Sequence, residues 1–199
     1  MEYFKEEGKS VVTELAQKGN YELNNAFRDQ GWEVDVQEQP KEFRAPNWER
    51  LGAMGYEPVW VLETEKGDIR IKMDVLAAPA TISGLDSLTR AGAFDSVAFH
   101  RVVPNFVIQG GDIDTGLGWG GPDYTVPTEA SEKEYRRGMA GMARTNIDTE
   151  GSQFFVMHQW KPHLNAGYTI IGEVVAGMEV VDRILYGDKV LRAYWLETE

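Results

Sequence analysis

The stretch Phe99-His100-Arg101-Val102-Val103-Pro104-Asn105-Phe106-Val107-Ile108-Gln109-Gly110-Gly111-Asp112 reads as two consecutive strands. Phe94 to Val103 and Phe106 to Gln109 are rich in aromatic and β-branched residues, and Pro104-Asn105 breaks them with turn chemistry. Strand alternation places Val97, Phe99, Arg101 and Val103 on one face. An arginine there must pair internally, snorkel at a barrel rim or reach a wet concave surface. Val107 and Gln109 share a face by the same alternation. Phe106 falls on the opposite side unless the chain bulges after Pro104.

Working outward, strand signals dominate from Pro58. Val59 to Glu63 reads as a strand, and Glu65-Lys66-Gly67-Asp68 as a turn. Ile69, Ile71, Met73 and Val75 alternate with Arg70, Lys72 and Asp74, a half-buried hairpin strand. Pro79 opens a helix with Ile82, Leu85 and Leu88 on one face and Gly92 at its end. Gly110 to Tyr124 is a glycine-rich loop. Gly138–Ala143, Ser152–Met157, Tyr168–Val174 and Lys189–Leu196 read as further strands. Val180, Val181, Ile184 and Leu185 form a helical stripe closed by Gly187. Many short strands and two helices predict a closed barrel or sandwich with helical plugs.

Residues 1–55 read differently. Short helices are expected around Val11–Ala16 and Leu23–Phe27, a strand at Trp32–Val36, and a connector from Gln37 to Arg44. Trp48 to Met54 reads as a short helix stopped by Gly55. These pieces are too small for a core of their own. The expected division is an extension at 1–55, either packed on the main domain or left from a larger neighbour, and a barrel domain at 56–199.

The chain has 199 residues, 20 basic and 32 acidic, for a net charge of −12. That surplus of carboxylates argues against binding nucleic acid or anionic lipid, which needs clustered lysine and arginine. Cysteine is absent, which excludes disulfides, thiolate metal sites and a Cys nucleophile. Glu2, Lys5, Glu6, Glu7 and Lys9 do not make a signal peptide. A soluble protein is expected, cytoplasmic or exported.

Several motifs fail on context. Gly116-x-Gly118-x-x-Gly121 matches a dinucleotide fingerprint by letter, but Pro122-Asp123-Tyr124 follows where a helix should open. Asp112-x-Asp114-x-Gly116 starts like a calcium loop, yet Leu117 and Asp123 stand where Gly and Glu belong. His100, His158 and His163 have no zinc-motif spacing, so neither metal nor cofactor is expected. Ser152 lacks the second glycine of a nucleophile elbow. Asp148 and Glu150 sit in a loop and read as solvated surface.

A second stretch matters, Met142-Ala143-Arg144-Thr145-Asn146 followed by Gly151-Ser152-Gln153-Phe154-Phe155. Gln153 and Phe155 share a face by alternation. Arg101, Gln109 and Gln153 are then isolated polar side chains set among aromatics on neighbouring strands. A small apolar pocket with a few convergent polar groups is how ligand sites are built. Together with Tyr168-Thr169-Ile170-Ile171-Gly172-Glu173-Val174, the two stretches closely resemble the cyclophilin family of peptidyl-prolyl cis/trans isomerases, in its bacterial-like form. The resemblance covers about seven-tenths of the chain, from Pro58 to Leu196.

It implies a mainly β fold, an eight-stranded antiparallel closed barrel capped by two helices. It implies acceleration of rotation about X-Pro bonds in unfolded or flexible proline-containing polypeptides, by a monomer without cofactor. Arg101 and Gln109 take the catalytic places. Phe106, Val107, Phe155 and Leu164 are expected to grip the proline ring, with Ala143, Arg144, Thr145 and Gln153 along the flanking peptide. His163 stands where the family commonly has the tryptophan associated with cyclosporin binding, and Tyr168 where it has a histidine. The alternative reading is a non-catalytic proline-peptide-binding or scaffold module.

Overall fold

The structure, a computed structural model, describes residues 42–196. The expected helices and strand before Gln37 lie outside the described residues, as does most of the connector. Described elements begin with helix α1 (Trp48–Met54), strands β1 (Val59–Thr64) and β2 (Gly67–Met73), and helix α2 (Pro79–Arg90). Strands β3 (Val97–Ala98), β4 (Arg101–Val103), β5 (Val107–Gly110), β6 (Met139–Met142) and β7 (Phe154–Met157) follow. A 3-10 turn (Pro162–Leu164), β8 (Ile170–Ala176), α3 (Met178–Val181) and β9 (Lys189–Trp195) complete the order.

All nine strands form one antiparallel sheet in the order β3-β9-β1-β2-β8-β6-β7-β5-β4. Its two end strands are halves of a single segment, 97–103. The first half pairs with β9 and the second with β5. Between them, Phe99 N donates to Asp188 O at 2.8 Å and Phe99 O accepts from Gly187 N at 3.0 Å. The sheet is thereby curled on itself through a covalent link, and eight chain segments account for its nine strands.

That exchange of partners corrects one expectation. Phe99 and Arg101 were expected on one face, but Phe99 is fully buried in the core and Arg101 is exposed. Strand parity holds only within a continuous ladder, and the ladder breaks at Phe99-His100. The expected strand start at Phe94 also gives way, since residues up to Ser96 form a turn. The helical stripe is shorter than read. It ends at Val181, with Ile184 still buried and Leu185 exposed.

Inside the curl, Trp60 packs edge-on against Phe94 (5.2 Å) and Phe154 (5.1 Å), and Phe99 meets Phe154 at 6.4 Å. Trp60 Nε1 donates to Thr89 Oγ1 of α2 at 3.0 Å, so the indole N–H is satisfied where it is buried. Helix α2 lacks a side-chain cap of its own. Glu129, from a distant loop, accepts from Ala80 N and Thr81 N at 2.9 Å each. A carboxylate at this end also meets the positive pole of the helix.

Helix α1 is fastened to α2. Asn47 caps it, accepting from Arg50 N at 3.0 Å, and Asn47 N donates to Ser83 Oγ at 2.8 Å. Arg50 pairs with the buried carboxylate of Asp86 at 3.2 Å. Leu51 is 3% exposed and belongs to the main core. Replacing Leu51 with Ala is therefore expected to cost about 2–4 kcal/mol of unfolding free energy, measured by denaturant titration. A loss below about 0.5 kcal/mol, the scale of a surface substitution, would show that α1 is not part of the core.

Candidate active site

The outer face of β5, β6, β7 and β8 carries a second apolar cluster, separate from the main core. Val107, Tyr135, Phe155, Met157, Leu164 and Ile170 form it, with Phe106, Met139, Ala143 and Tyr168 packed against it. Parity explains the membership. Val107 and Gln109 face outward while Ile108 enters the core, and Phe155 and Met157 face outward while Phe154 and Val156 enter it. Phe106 joins its neighbour Val107 because Asn105 adopts a left-handed φ of 61° and Phe106 N turns back to Val103 O at 3.0 Å. The ladder has no bulge there; Phe106 lies in the turn before β5, outside strand alternation.

Gly141 makes room for the floor of the pocket. It lies opposite Phe155 in the ladder, and a Cβ there would come within 2.8 Å of the Tyr135 ring. Tyr135 is fully buried, tilts against Phe155 at 5.4 Å, and donates its hydroxyl to Thr169 O at 2.9 Å. Burial pushes the Tyr135 phenol well above its usual range, so it stays neutral. Neither Tyr135 nor Met139 was singled out from sequence. Met157 was within reach, two residues from Phe155 on the same strand.

A polar chain borders this cluster. Arg101 Nη1 donates to Gln109 Oε1 at 3.2 Å. Gln109 Nε2 donates to Gln153 Oε1 at 3.1 Å and approaches His100 Nε2 at 3.4 Å. Those two neighbours fix which way the Gln109 amide points, leaving its oxygen toward Arg101. Burial, together with the Arg101 charge, keeps the His100 pKa below its ordinary value. Neutral imidazole is the form able to accept at Nε2.

Gln153 is held in turn by the glycine-rich loop, donating Nε2 to Gly118 O (3.0 Å) and Gly120 O (2.9 Å). Asp112 ties that loop. Its carboxylate is 2% exposed and accepts from the backbone N–H of Asp114, Thr115, Gly118, Trp119 and Gly120 and from the Thr115 hydroxyl. Burial would push its pKa up, but these bonds outweigh burial and hold it well below the usual carboxylate range.

The remaining expected residues fall around the same pocket. Exposed His163 stacks on Phe106 at 6.2 Å. Tyr168 meets Phe155 edge-on at 6.0 Å. Arg144 lies over the Tyr168 ring at 4.7 Å and donates from Nε to Gly167 O at 2.8 Å, with Nη2 reaching the same oxygen. Thr145 is exposed, and its N–H donates to Thr149 Oγ1 at 3.2 Å.

The family model for cyclophilin type peptidyl-prolyl cis-trans isomerases matches residues 59–192. This chain is a member of the cyclophilin family. Peptidyl-prolyl cis-trans isomerase B of Bacillus subtilis is 42% identical over 114 residues, covering 56% of this chain and 79% of that protein. A probable peptidyl-prolyl cis-trans isomerase of Brucella suis is 38% identical over 141 residues, covering 65% and 72%. Among solved structures, the cyclophilin type isomerase of Cryptosporidium parvum superposes with a TM-score of 0.68 at 26% identity, covering 72% of this chain and all of that one. The same parasite enzyme was also crystallised in the presence of the dipeptide Ala-Pro. No helix among the described residues is long and apolar enough to cross a membrane.

One buried carboxylate corrects the sequence reading. Glu150 was expected on solvated surface but is 0% exposed. Its Oε1 accepts from Thr169 N at 3.3 Å, and its Oε2 has no hydrogen-bond partner. Burial raises its pKa from 4.5 to about 7, against the bonds from Thr169 and the charge of Arg144. A carboxyl raised by folding stabilises the fold while protonated. That contribution is complete below its unfolded pKa and is lost as pH rises through about 7. Glu150→Gln is thus expected to melt above the parent at pH 8, with the gap closing toward pH 5. A gap independent of pH would contradict the assignment.

Proposed function

We propose that this cyclophilin catalyses X-Pro isomerisation with Arg101 as the group acting on the twisted amide. Phe106, Val107, Phe155 and Leu164 form the seat for the proline ring. The carrying observation is the exposed guanidinium of Arg101, held by Gln109 at the edge of an apolar cluster on the outer barrel face.

The chemistry asks for little else. Amide resonance sets a barrier of ~18–20 kcal/mol, and no bond breaks during rotation. The catalyst need only favour the twisted amide over the planar one. Twisting localises the lone pair on the prolyl nitrogen. A fixed guanidinium donating to that nitrogen opposes the return of resonance. Arginine suits this task because it is always charged and its donors have fixed directions. One such pre-placed donor supplies roughly 3–4 kcal/mol.

Gln109 and Gln153 serve as positioning residues in this reading. Each amide is committed at both ends, and the guanidinium is therefore aimed before substrate arrives. Ala143 and its neighbours offer backbone groups to the peptide flanking the proline, and His163 extends the aromatic wall over Phe106.

The test is cis-to-trans relaxation of a short X-Pro peptide. The parent is expected to accelerate it strongly, and folded Arg101→Ala to lose at least tenfold, about 1.4 kcal/mol of transition-state stabilisation. A well-folded parent that leaves the relaxation unchanged would overturn the proposal and favour a proline-peptide-binding module.

A further inference from the structure

Three cations around the apolar cluster form no ion pair among the described residues. Arg101 lies over the Phe106 ring at 5.5 Å, and Lys161 Nζ lies over the same ring at 5.8 Å. Arg144 stands over Tyr168. Both rings belong to the apolar cluster of the site. Eight ion pairs form among the described residues, and none of them includes Arg101, Arg144 or Lys161. In a chain of net charge −12, with carboxylates in surplus, the pocket keeps its cations open.

Aromatic rings hold these cations in place without neutralising them. Arg144 spends Nε and Nη2 on Gly167 O and keeps Nη1. Lys161 donates its backbone N–H to Tyr135 O, and among the described residues no hydrogen bond takes up its three ammonium donors. Neither nearby carboxylate forms an ion pair with these cations among the described residues. Asp112 is saturated by the glycine-rich loop, and Glu150 is buried beneath the segment that carries Arg144.

We infer that this pocket selects proline segments that carry an acidic residue within a few positions of the proline. The inference rests on the isomerase reading above. The overall charge of −12 argues for the opposite preference, and distance decides between the two. Screening confines exposed charges to about 8 Å at physiological salt. The rim cations stand within 6 Å of rings in the apolar cluster, Phe106 of the proline seat and Tyr168 beside it. A carboxylate beyond that range contributes little to the field at the rings.

The experiment measures kcat/KM by relaxation for matched X-Pro peptides. Glu, Gln or Lys is placed at each of the two positions on either side of the X-Pro pair, in about 0.1 M salt. At the best position the Glu peptide is expected to exceed the Lys peptide by about two- to fivefold, the scale of an exposed ion pair. The difference should collapse near 1 M salt, where screening acts within about 3 Å. Lys161→Gln and Arg144→Gln should each narrow the Glu-to-Lys ratio. A ratio at or below one, with the Gln peptides turned over normally, overturns the charge selection and leaves the isomerase reading standing. Failure to accelerate any peptide, Gln included, removes the isomerase reading itself.

Discussion

The segment from Val97 to Val103 is the constraint on which the rest depends. It supplies both ends of the sheet, pairing with β9 through Val97 and Ala98 and with β5 through Arg101 to Val103. One strand serving two neighbours must break its ladder, and the break at Phe99-His100 has two consequences. Phe99 goes into the core against Phe154, and Arg101 turns outward beside Gln109. Curling of the sheet and outward presentation of Arg101 are thus one structural event.

The outer face then divides its labour. In the proposed reading, the apolar cluster of Val107, Phe155, Leu164 and their neighbours would offer burial to a proline ring, a force without direction. Direction comes from the polar chain running from Asp112 through the glycine-rich loop to Gln153, Gln109 and Arg101. Its inner end is a buried, saturated carboxylate and its outer end an exposed guanidinium. An exposed arginine is normally free to sample many rotamers, and ordering it at the moment of binding would cost conformational entropy. Here that ordering is completed on folding.

Much of this was legible in the sequence because it is local. The alternation of Ile69, Ile71 and Met73 gave β2, Pro79 gave the start of α2, and Gly55 gave the end of α1. What stayed hidden was tertiary. Alternation cannot foresee that a strand will exchange partners, so Phe99 and Arg101 were put on one face. Loop composition cannot foresee that Glu150 will be covered, or that Glu129 will cap a helix some fifty residues earlier in the chain. The same limit applies at the pocket. Arg101, Gln109, Gln153 and the gripping residues belong to long motifs, whereas Tyr135 and Lys161 arrive from segments with no motif at all.

The central claim is that the glutamine chain works by aiming Arg101, and a double-mutant cycle tests it most directly. Relaxation rates of an X-Pro peptide would be compared for the parent, Gln153→Ala, Arg101→Ala and the double variant, each checked for folding. Independent contributions multiply in rate, whereas residues acting through one another do not. The account predicts that Gln153→Ala slows the parent by roughly tenfold, the loss of about one well-placed hydrogen bond, and changes the Arg101→Ala protein by less than about twofold. Equal losses in both backgrounds would contradict it, because Gln153 would then act on the substrate by a route that does not pass through Arg101.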